Sequence, residues 1–438
     1  MIKTLFIANR GEIAVRIIRA ARDLGISTVL GHSTADADSL AYRLADRTIC
    51  IGGPQSSESY LNMTNIITAA LLSRCDAIHP GVGFLSENAD FARRTEDAGL
   101  IFVGPSSETI RLLGDKIASR NVALAAEVPV TPGSVTPLES LEEGIALANE
   151  IGYPVMIKAS AGGGGRGIRI VRNDRDFERA VHISRKEALS FFGNDAIHVE
   201  KYLDHPRHVE VQLMGDGEGK AVHLGERDCS VQNNHQKLIE ESPSTVVSDE
   251  LRHVMGNDAI RLFSHLNYRG AGTVEFLVQD GKHYFMEVNA RVQVEHPVTE
   301  MVHSIDIIRE QLLIAAGKGL SISPREDISD IHAIEVRINA RGAGTVTSFS
   351  PPTGPWVRTD THIFSGYTVS PYYDALLAKI IVAAGDRQDA IDIMLRALKE
   401  FEISGVETNI AEQVAILTSQ QFRSGRFNTQ LYDQLFRQ

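Results

Sequence analysis

The sequence predicts an α/β protein built from several units. The N-terminal unit is a parallel sheet flanked by helices; a small unit with a glycine-rich turn and a strand-rich body follow. Three observations carry that expectation: βαβ spacing in the first hundred residues, a run of glycines between two short strands near 158–171, and alternating apolar patterns from about 204 onward. A chain of 438 residues has room for roughly two to four packed domains. The expected divisions are 1–115, 116–203, 204–330 and 331–438, the last with strands near 332–338 and 376–383 and a helix near 387–401.

In the first unit Leu5 to Ala8 reads as a strand and Ile13, Ile17, Ala20, Ala21 and Leu24 recur at helical spacing until Gly25. Further strands are expected at Thr28 to Leu30 and Ala77-Ile78, with a helix over Ile66 to Leu72. No Gly-x-Gly-x-x-Gly fingerprint follows the first strand, which weakens a dinucleotide reading. The second unit contains a strand at Val155 to Lys158, a turn, a strand at Ile168 to Val171 and a helix from about 174 to 188.

Composition excludes some classes. The formal charge of −12, with no run of Lys and Arg, argues against a nucleic-acid partner. Cys50, Cys75 and Cys229 share no metal-type spacing, so neither a disulfide framework nor a structural zinc is expected. The N-terminal apolar stretch is too short for a signal peptide, and no apolar run reaches membrane-spanning length. A cytoplasmic protein without a membrane role is expected.

The sharpest segment runs from Tyr284 to Pro297. From 286 to 295 apolar Met286, Val288, Ala290, Val292 and Val294 alternate with polar Glu287, Asn289, Arg291, Gln293 and Glu295. In an extended strand the five polar side chains share one face. That pattern fits a solvated strand face, but acid, amide, guanidinium, amide and acid is also a set of ligands and clamps. Glu275 and Glu287 lie symmetrically about Gly281 in the hairpin signal Gln279-Asp280-Gly281-Lys282. An odd loop or a bulge sets them opposite each other, either as a tolerated repulsion or, with Asn289, as oxygen ligands for Mg²⁺.

Lys158-Ala-Ser-Ala-Gly-Gly-Gly-Gly-Arg-Gly167 reads as a flexible hairpin or as a lid whose amides approach phosphates. It is no Walker A loop. His235 and Lys237 are candidates for nucleotide and anion contacts, or members of an exposed polar loop. Arg337 lies on the polar face of His332 to Asn339, and Lys116 follows Gly114-Asp115 at a helix start.

Together these stretches resemble biotin carboxylase, of the ATP-grasp superfamily, over essentially the whole chain. The resemblance is carried by Ile7-Ala-Asn-Arg-Gly-Glu-Ile13, Gly83-Phe-Leu-Ser-Glu-Asn88, Gly114-Asp-Lys116, the glycine turn, Pro206-Arg-His-Val-Glu210, Glu226-Arg-Asp-Cys-Ser230, Arg269-Gly-Ala-Gly-Thr273 and Val292-Gln-Val-Glu-His-Pro-Val-Thr-Glu300. It implies an ATP-grasp fold with an N-terminal Rossmann-like domain, a mobile glycine-rich lid and a C-terminal antiparallel-sheet domain. It implies ATP contacts at Lys116, Lys158, Gly164, Gly165, Glu200, Lys201, Leu203, His208, Gln232, His235 and Leu277. Mg²⁺ or Mn²⁺ would sit at Glu275, Glu287 and Asn289. Bicarbonate would sit at Lys237, Arg291, Gln293, Val294 and Glu295, with Glu295 as general base and Arg337 facing the biotin ureido oxygen. The implied partners are a separate biotin carrier protein and a carboxyltransferase, and the implied assembly is a homodimer.

Four features depart from the family pattern. Val82 replaces a tyrosine, Asn233-Asn234 replaces two arginines, Arg341-Gly342-Ala343-Gly344 replaces acidic residues, and the segment 341–358 is short. They leave open a carboxylase or ligase acting on a different nitrogen nucleophile, and a non-catalytic nucleotide-binding homologue.

Overall fold

A computed structural model describes residues 2–159, 169–325 and 327–437. The glycine turn at 160–168, with Gly164 and Gly165, lies outside the described residues.

The N-terminal unit is built on β1 (Thr4–Ile7), β2 (Ser27–Ser33), β3 (Arg47–Gly52), β4 (Ala77–His79) and β5 (Ile101–Phe102), all parallel in the order β3-β2-β1-β4-β5. Leu5, Phe6 and Ile7 are fully buried, as a central parallel strand covered on both faces requires. The helix Gly11–Asp23 follows β1 with apolar residues buried along most of its length. Because β1 pairs with β2 on one side and β4 on the other, the strand order reverses at its carboxyl end, where α/β sheets open a crevice. Asn9 stands in that crevice and donates to the carbonyls of Pro80 (2.7 Å) and Val82 (2.8 Å).

A small sheet of β6 (Val155–Ala159), β7 (Arg169–Val171) and β8 (Ile197–Lys201), in the order β7-β6-β8, is backed by helices Leu141–Ile151 and Asp174–Phe192. The second helix runs past the 188 expected from sequence.

The body is one sheet of β9 (Arg207–Asp216), β10 (Ala221–Asn233), β11 (Gln236–Ser242), β12 (Arg269–Gln279), β13 (Lys282–Asn289), β14 (His332–Asn339), β17 (Val357–Thr361) and β19 (Leu376–Ala384). Short pairs complete the strand set: β15 (Gly344–Thr345) with β18 (Thr368–Val369), and β16 (Ser348–Ser350) with β20 (Glu402–Ser404). The sheet order is β13-β12-β9-β10-β11-β14-β19-β17. Antiparallel pairing of β11 with β14 carries the sheet without a break across the division expected at 330. In β14 Ile334, Val336 and Ile338 are fully buried, and so is Glu335 on the face read as polar from sequence. Among the described residues no helix is long and apolar enough to cross a membrane.

Buried charge fastens this junction. Glu241 of β11 accepts from Arg387 Nε at 2.6 Å and lies 2.9 Å from His332 Nε2 of β14. Burial works to raise its pKa, but Arg387 and His332 outweigh burial and hold it at about 2 against an ordinary 4.5. A carboxyl depressed on folding contributes stability that is complete above its unfolded pKa and is lost as pH falls toward the folded one. Urea midpoints should therefore fall between pH 4.5 and about 2, with a Glu241 share on the order of 3 kcal/mol. Glu241→Gln should flatten that part of the profile; an unchanged profile would show that the carboxylate is not paired in solution.

Candidate functional site

The β12–β13 hairpin turns on Asp280 and Gly281, both in the left-handed region at φ 52° and 70°, with Gln279 paired to Lys282. That geometry suits a two-residue hairpin loop. A bulge between Glu275 and Phe276 then sets Glu287 directly opposite Glu275, as the symmetry about Gly281 implied. The next strand extends the row: Glu275 faces Glu210 of β9, and Glu210 faces Arg227 of β10. Directly paired residues project to the same face, so three carboxylates stand side by side on adjacent strands.

Cations hold this row together. Arg227, fully buried, donates to Glu210 (2.6 Å), Gln212 (2.8 Å), Thr299 (2.9 Å) and Gln293 (2.8 Å). Lys237 Nζ donates to Glu210 (2.6 Å), Glu275 (2.9 Å) and Glu295 (2.6 Å). Burial opposes that ammonium, yet the charges of Glu210, Glu275 and Glu295 outweigh it and raise the Lys237 pKa well above the usual value. Burial likewise pushes Glu275 up, but Lys237 and His208, whose Nε2 lies 2.8 Å away, hold the carboxyl well below the ordinary range. Glu287 is different: burial first, then the charge of Glu275, raise it.

The polar residues after β13 reach the site by a route the alternation did not foresee. The strand ends at Asn289, the chain turns, and Glu295 stands immediately before the helix His296–His303. One continuous strand face from 287 to 295 is therefore incorrect. Pro297 near the helix start marks the change of structure. The side chains still converge, because the turn crosses the end of the sheet. Asn289 Nδ2 and Gln293 Nε2 donate to Glu275 Oε1 at 2.8 and 2.9 Å. Arg291 bonds Glu87 at 2.9 Å and Asn289 Oδ1 at 3.0 Å. Arg337 Nη2 lies 2.9 Å from Glu295 and 2.5 Å from Glu240. Lys237 and Arg337 thus take one oxygen each of Glu295. Burial acts to raise that carboxyl, and the two cations override it and hold it well below the ordinary range. Glu240, by contrast, is pushed up to about 7, chiefly by burial.

A cavity of about 1470 Å³ opens over this row, lined by every described site residue expected from the sequence. Lys116, Lys158, Glu200, Lys201, Leu203 and Leu277 form its outer part, between the small sheet and the body. Lys158 Nζ is 2.5 Å from Glu200. The Lys201 ammonium is occupied by the carbonyls of Gly152 (2.9 Å) and Tyr153 (3.2 Å). Gln232 bonds His208 at 2.7 Å, and His235 is exposed in the left-handed turn between β10 and β11. Beside it Arg437 donates to Asn233 (2.7 Å) and Asn234 (3.0 Å), placing a guanidinium where the asparagine pair lacks charge. The cavity also reaches Val82, Phe84 and Tyr373 at the N-terminal crevice.

Sequence reasoning gave no role to Glu210, Arg227 or Glu240. Glu210 lies two residues after His208 in one strand, so it shares that histidine's face, which was the available signal.

Three family models match the chain in series: "Biotin carboxylase, N-terminal domain" at residues 1–110, "Carbamoyl-phosphate synthase L chain, ATP binding domain" at 115–323, and "Biotin carboxylase C-terminal domain" at 336–434. Biotin carboxylase 1 of Bacillus subtilis is 48% identical over 443 residues, covering 99% of this chain and 98% of that protein. The biotin carboxylase of Allochromatium vinosum is 49% identical over 436 residues, covering 98% and 97%. Among solved structures, the biotin carboxylase domain dimer of Hydrogenobacter thermophilus 2-oxoglutarate carboxylase, in complex with MgADP, ADP and bicarbonate, superposes with a TM-score of 0.90 at 42% identity, covering 99% and 98% of the two chains. A Campylobacter jejuni biotin carboxylase–β-γ-ATP complex gives 0.91 at 42%, covering 99% of each chain.

Arg227→Met should destabilise the protein by about 3 kcal/mol in urea unfolding, because it leaves buried Glu210 with Lys237 as its one close cation and takes the donor from the Gln212, Thr299 and Gln293 oxygens. A change below about 0.5 kcal/mol would show that Glu210 is neutral in the folded protein.

Proposed function

The chain belongs to the biotin carboxylase family of the ATP-grasp superfamily, and from that premise we propose that it carboxylates biotin, carrier-linked or free, using ATP and bicarbonate through carboxyphosphate. An ATP-dependent ligase of this kind needs a place where a triphosphate, a divalent ion and a small oxyanion meet. The observation that carries the reading is Glu295 held between Lys237 and Arg337 beside the Glu275–Glu287 pair, at the floor of one cavity.

The residues fit a magnesium ion. Glu275 and Glu287 face each other with Asn289 adjacent, and burial and the charge of Glu275 both disfavour a charged Glu287 carboxyl, which a divalent cation there would offset. Bound there by Glu275, Glu287 and Asn289, Mg²⁺ would neutralise phosphate oxygens. Lys237 and His208 hold Glu275 here, and with an ion neutralising that carboxylate Lys237 would be free to face the substrate anions.

That release bears on the base. A carboxylate pinned by two cations is a weak proton acceptor. When Lys237 and Arg291 turn to bicarbonate, and Arg337 to the ureido oxygen, Glu295 loses its partners and its basicity rises as bicarbonate must give up a proton. With its proton passed to Glu295, bicarbonate attacks the γ-phosphorus, the bond to the bridging oxygen breaks and ADP leaves, while Lys237 and Arg291 offset the charge developing on the phosphoryl oxygens. Carboxyphosphate breaks down to CO₂ and phosphate, the phosphate takes the acceptor N–H proton, and the freed nitrogen attacks CO₂ to form the N–carboxylate bond. Arg337 then stabilises the ureido oxyanion.

Lys116, Lys158, Glu200, Leu203, His208, Gln232, His235 and Leu277 form the nucleotide side of the proposal, joined by Gly164 and Gly165 of the glycine-rich run outside the described residues. The solved relatives in complex with MgADP, bicarbonate and a β-γ-ATP ligand support it. A separate carrier, a carboxyltransferase partner and a homodimer complete the reading. Val82 in the N-terminal crevice favours, as a second reading, a different nitrogen nucleophile at the acceptor side.

Bicarbonate-dependent ATP hydrolysis, measured with and without free biotin, tests the proposal. Stimulation by biotin supports it, hydrolysis indifferent to biotin favours the second reading, and nucleotide binding without hydrolysis overturns both. Arg337→Ala should lower biotin carboxylation about 100- to 1000-fold, the usual cost of a lost oxyanion donor. Normal carboxylation by this variant would remove Arg337 from the mechanism. Glu287→Gln should raise the Mg²⁺ concentration needed for half-maximal turnover, and an unaltered requirement would place the ion elsewhere.

A further inference from the structure

Behind the turn that carries Glu295 lies an ammonium group the chemistry above does not use. Lys379 stands in the middle of β19, fully buried. A lysine in that position requires dedicated partners. Its Nζ donates to the Val294 carbonyl at 2.6 Å and lies 3.2 Å from Glu12 Oε2. Burial works against the charge, but Glu12, Glu335 and Asp360 outweigh it and keep the group an ammonium.

The register sharpens the point. Lys379 pairs directly with Arg337 of β14, so two cations stand opposite each other on one face of the sheet. Such a pair is destabilising unless each is drawn to its own anion or dipole. Arg337 reaches the Glu295 carboxylate, and Lys379 reaches the carbonyl of the residue immediately before it. One cross-strand pair therefore grips both the side chain and the preceding peptide of Glu295. Glu12 comes from the helix Gly11–Asp23, so the grip also ties the turn to the N-terminal unit. The helix that follows is anchored in the same way: Glu300 lies 2.8 Å from Arg16 and 2.7 Å from Arg358.

A simpler role, neutralising Glu12 alone, leaves the short bond to Val294 without purpose. We propose that Lys379 is a positioning residue, whose ammonium fixes the Val294–Glu295 peptide so that the Glu295 carboxylate meets bicarbonate at a set point. The inference rests on the assignment of Glu295 as the base.

Lys379→Met keeps the length and apolar body of the side chain and removes the donor. Since misplacement of a reacting group by about 1 Å costs about 100-fold, kcat for bicarbonate-dependent hydrolysis should fall by that order while KM for ATP stays within about twofold. Because this variant takes from buried Glu12 its nearest cation, Glu12→Gln/Lys379→Met is measured with it. The double variant should melt above the single one yet remain as slow. Recovery of turnover in the double variant, near-wild-type turnover in either, or a rise in KM for ATP matching the loss in kcat would each overturn the role. Wild type and Glu295→Gln run alongside separate the two levels. If wild type lacks bicarbonate-dependent hydrolysis, or Glu295→Gln retains it, the reading of Glu295 fails and the inference with it. If Glu295→Gln is slow but Lys379→Met is not, only the role of Lys379 fails.

Discussion

Three carboxylates in a row across β9, β12 and β13 set the terms for the rest of the site. Glu210, Glu275 and Glu287 are brought together by strand register: the hairpin turn and one bulge set Glu287 opposite Glu275, and the β9–β12 pairing sets Glu210 on its other side. Like charges at cross-strand spacing repel, so the row exists only where cations are supplied. Arg227 supplies one permanently, sunk in the sheet and bonded on several sides. Lys237 supplies another from the edge of the cavity, where its three carboxylate partners belong to different strands and to the turn. A fixed charge and an exchangeable one have different uses. The first is fixed in the sheet interior, and the second borders the cavity, where the proposed function gives it an anion to bind.

The architecture places that row where three parts of the chain meet. The carboxyl end of β1 contributes the crevice around Asn9 and Val82, the small sheet contributes Lys158 and Glu200, and β14 contributes Arg337. Pairing of β11 with β14 makes the C-terminal strands a continuation of the body, so Arg337 is held by the same sheet that holds Glu275. Arg337 and the Glu275–Glu287 carboxylate pair therefore stand on one continuous sheet.

Much of this was legible in the residues. The symmetry of Glu275 and Glu287 about Gly281 anticipated their pairing, which the two-residue turn reaches only through the bulge between Glu275 and Phe276. The polar set from 287 to 295 was recognised, but through an extended strand that in fact stops at Asn289. Alternation cannot tell a strand from a strand followed by a turn, and Pro297 was the local sign that a helix begins. Lys379 was not legible. It sits among apolar residues in Leu376–Ala384, where one lysine reads as the wet side of a strand. Its burial comes from Glu12 and Val294, distant in sequence, and no local pattern encodes such a partner. The same holds for Arg437 at Asn233 and Asn234, a replacement charge delivered from the far end of the chain.

A crystal structure with Mg²⁺, a non-hydrolysable ATP analogue and bicarbonate tests the central claim most directly. The account predicts the ion between Glu275 and Glu287, with the Lys237 ammonium withdrawn from Glu275 and bonded to the bicarbonate or the terminal phosphate. An ion bound away from both carboxylates, with Lys237 still spanning Glu210, Glu275 and Glu295, would contradict it.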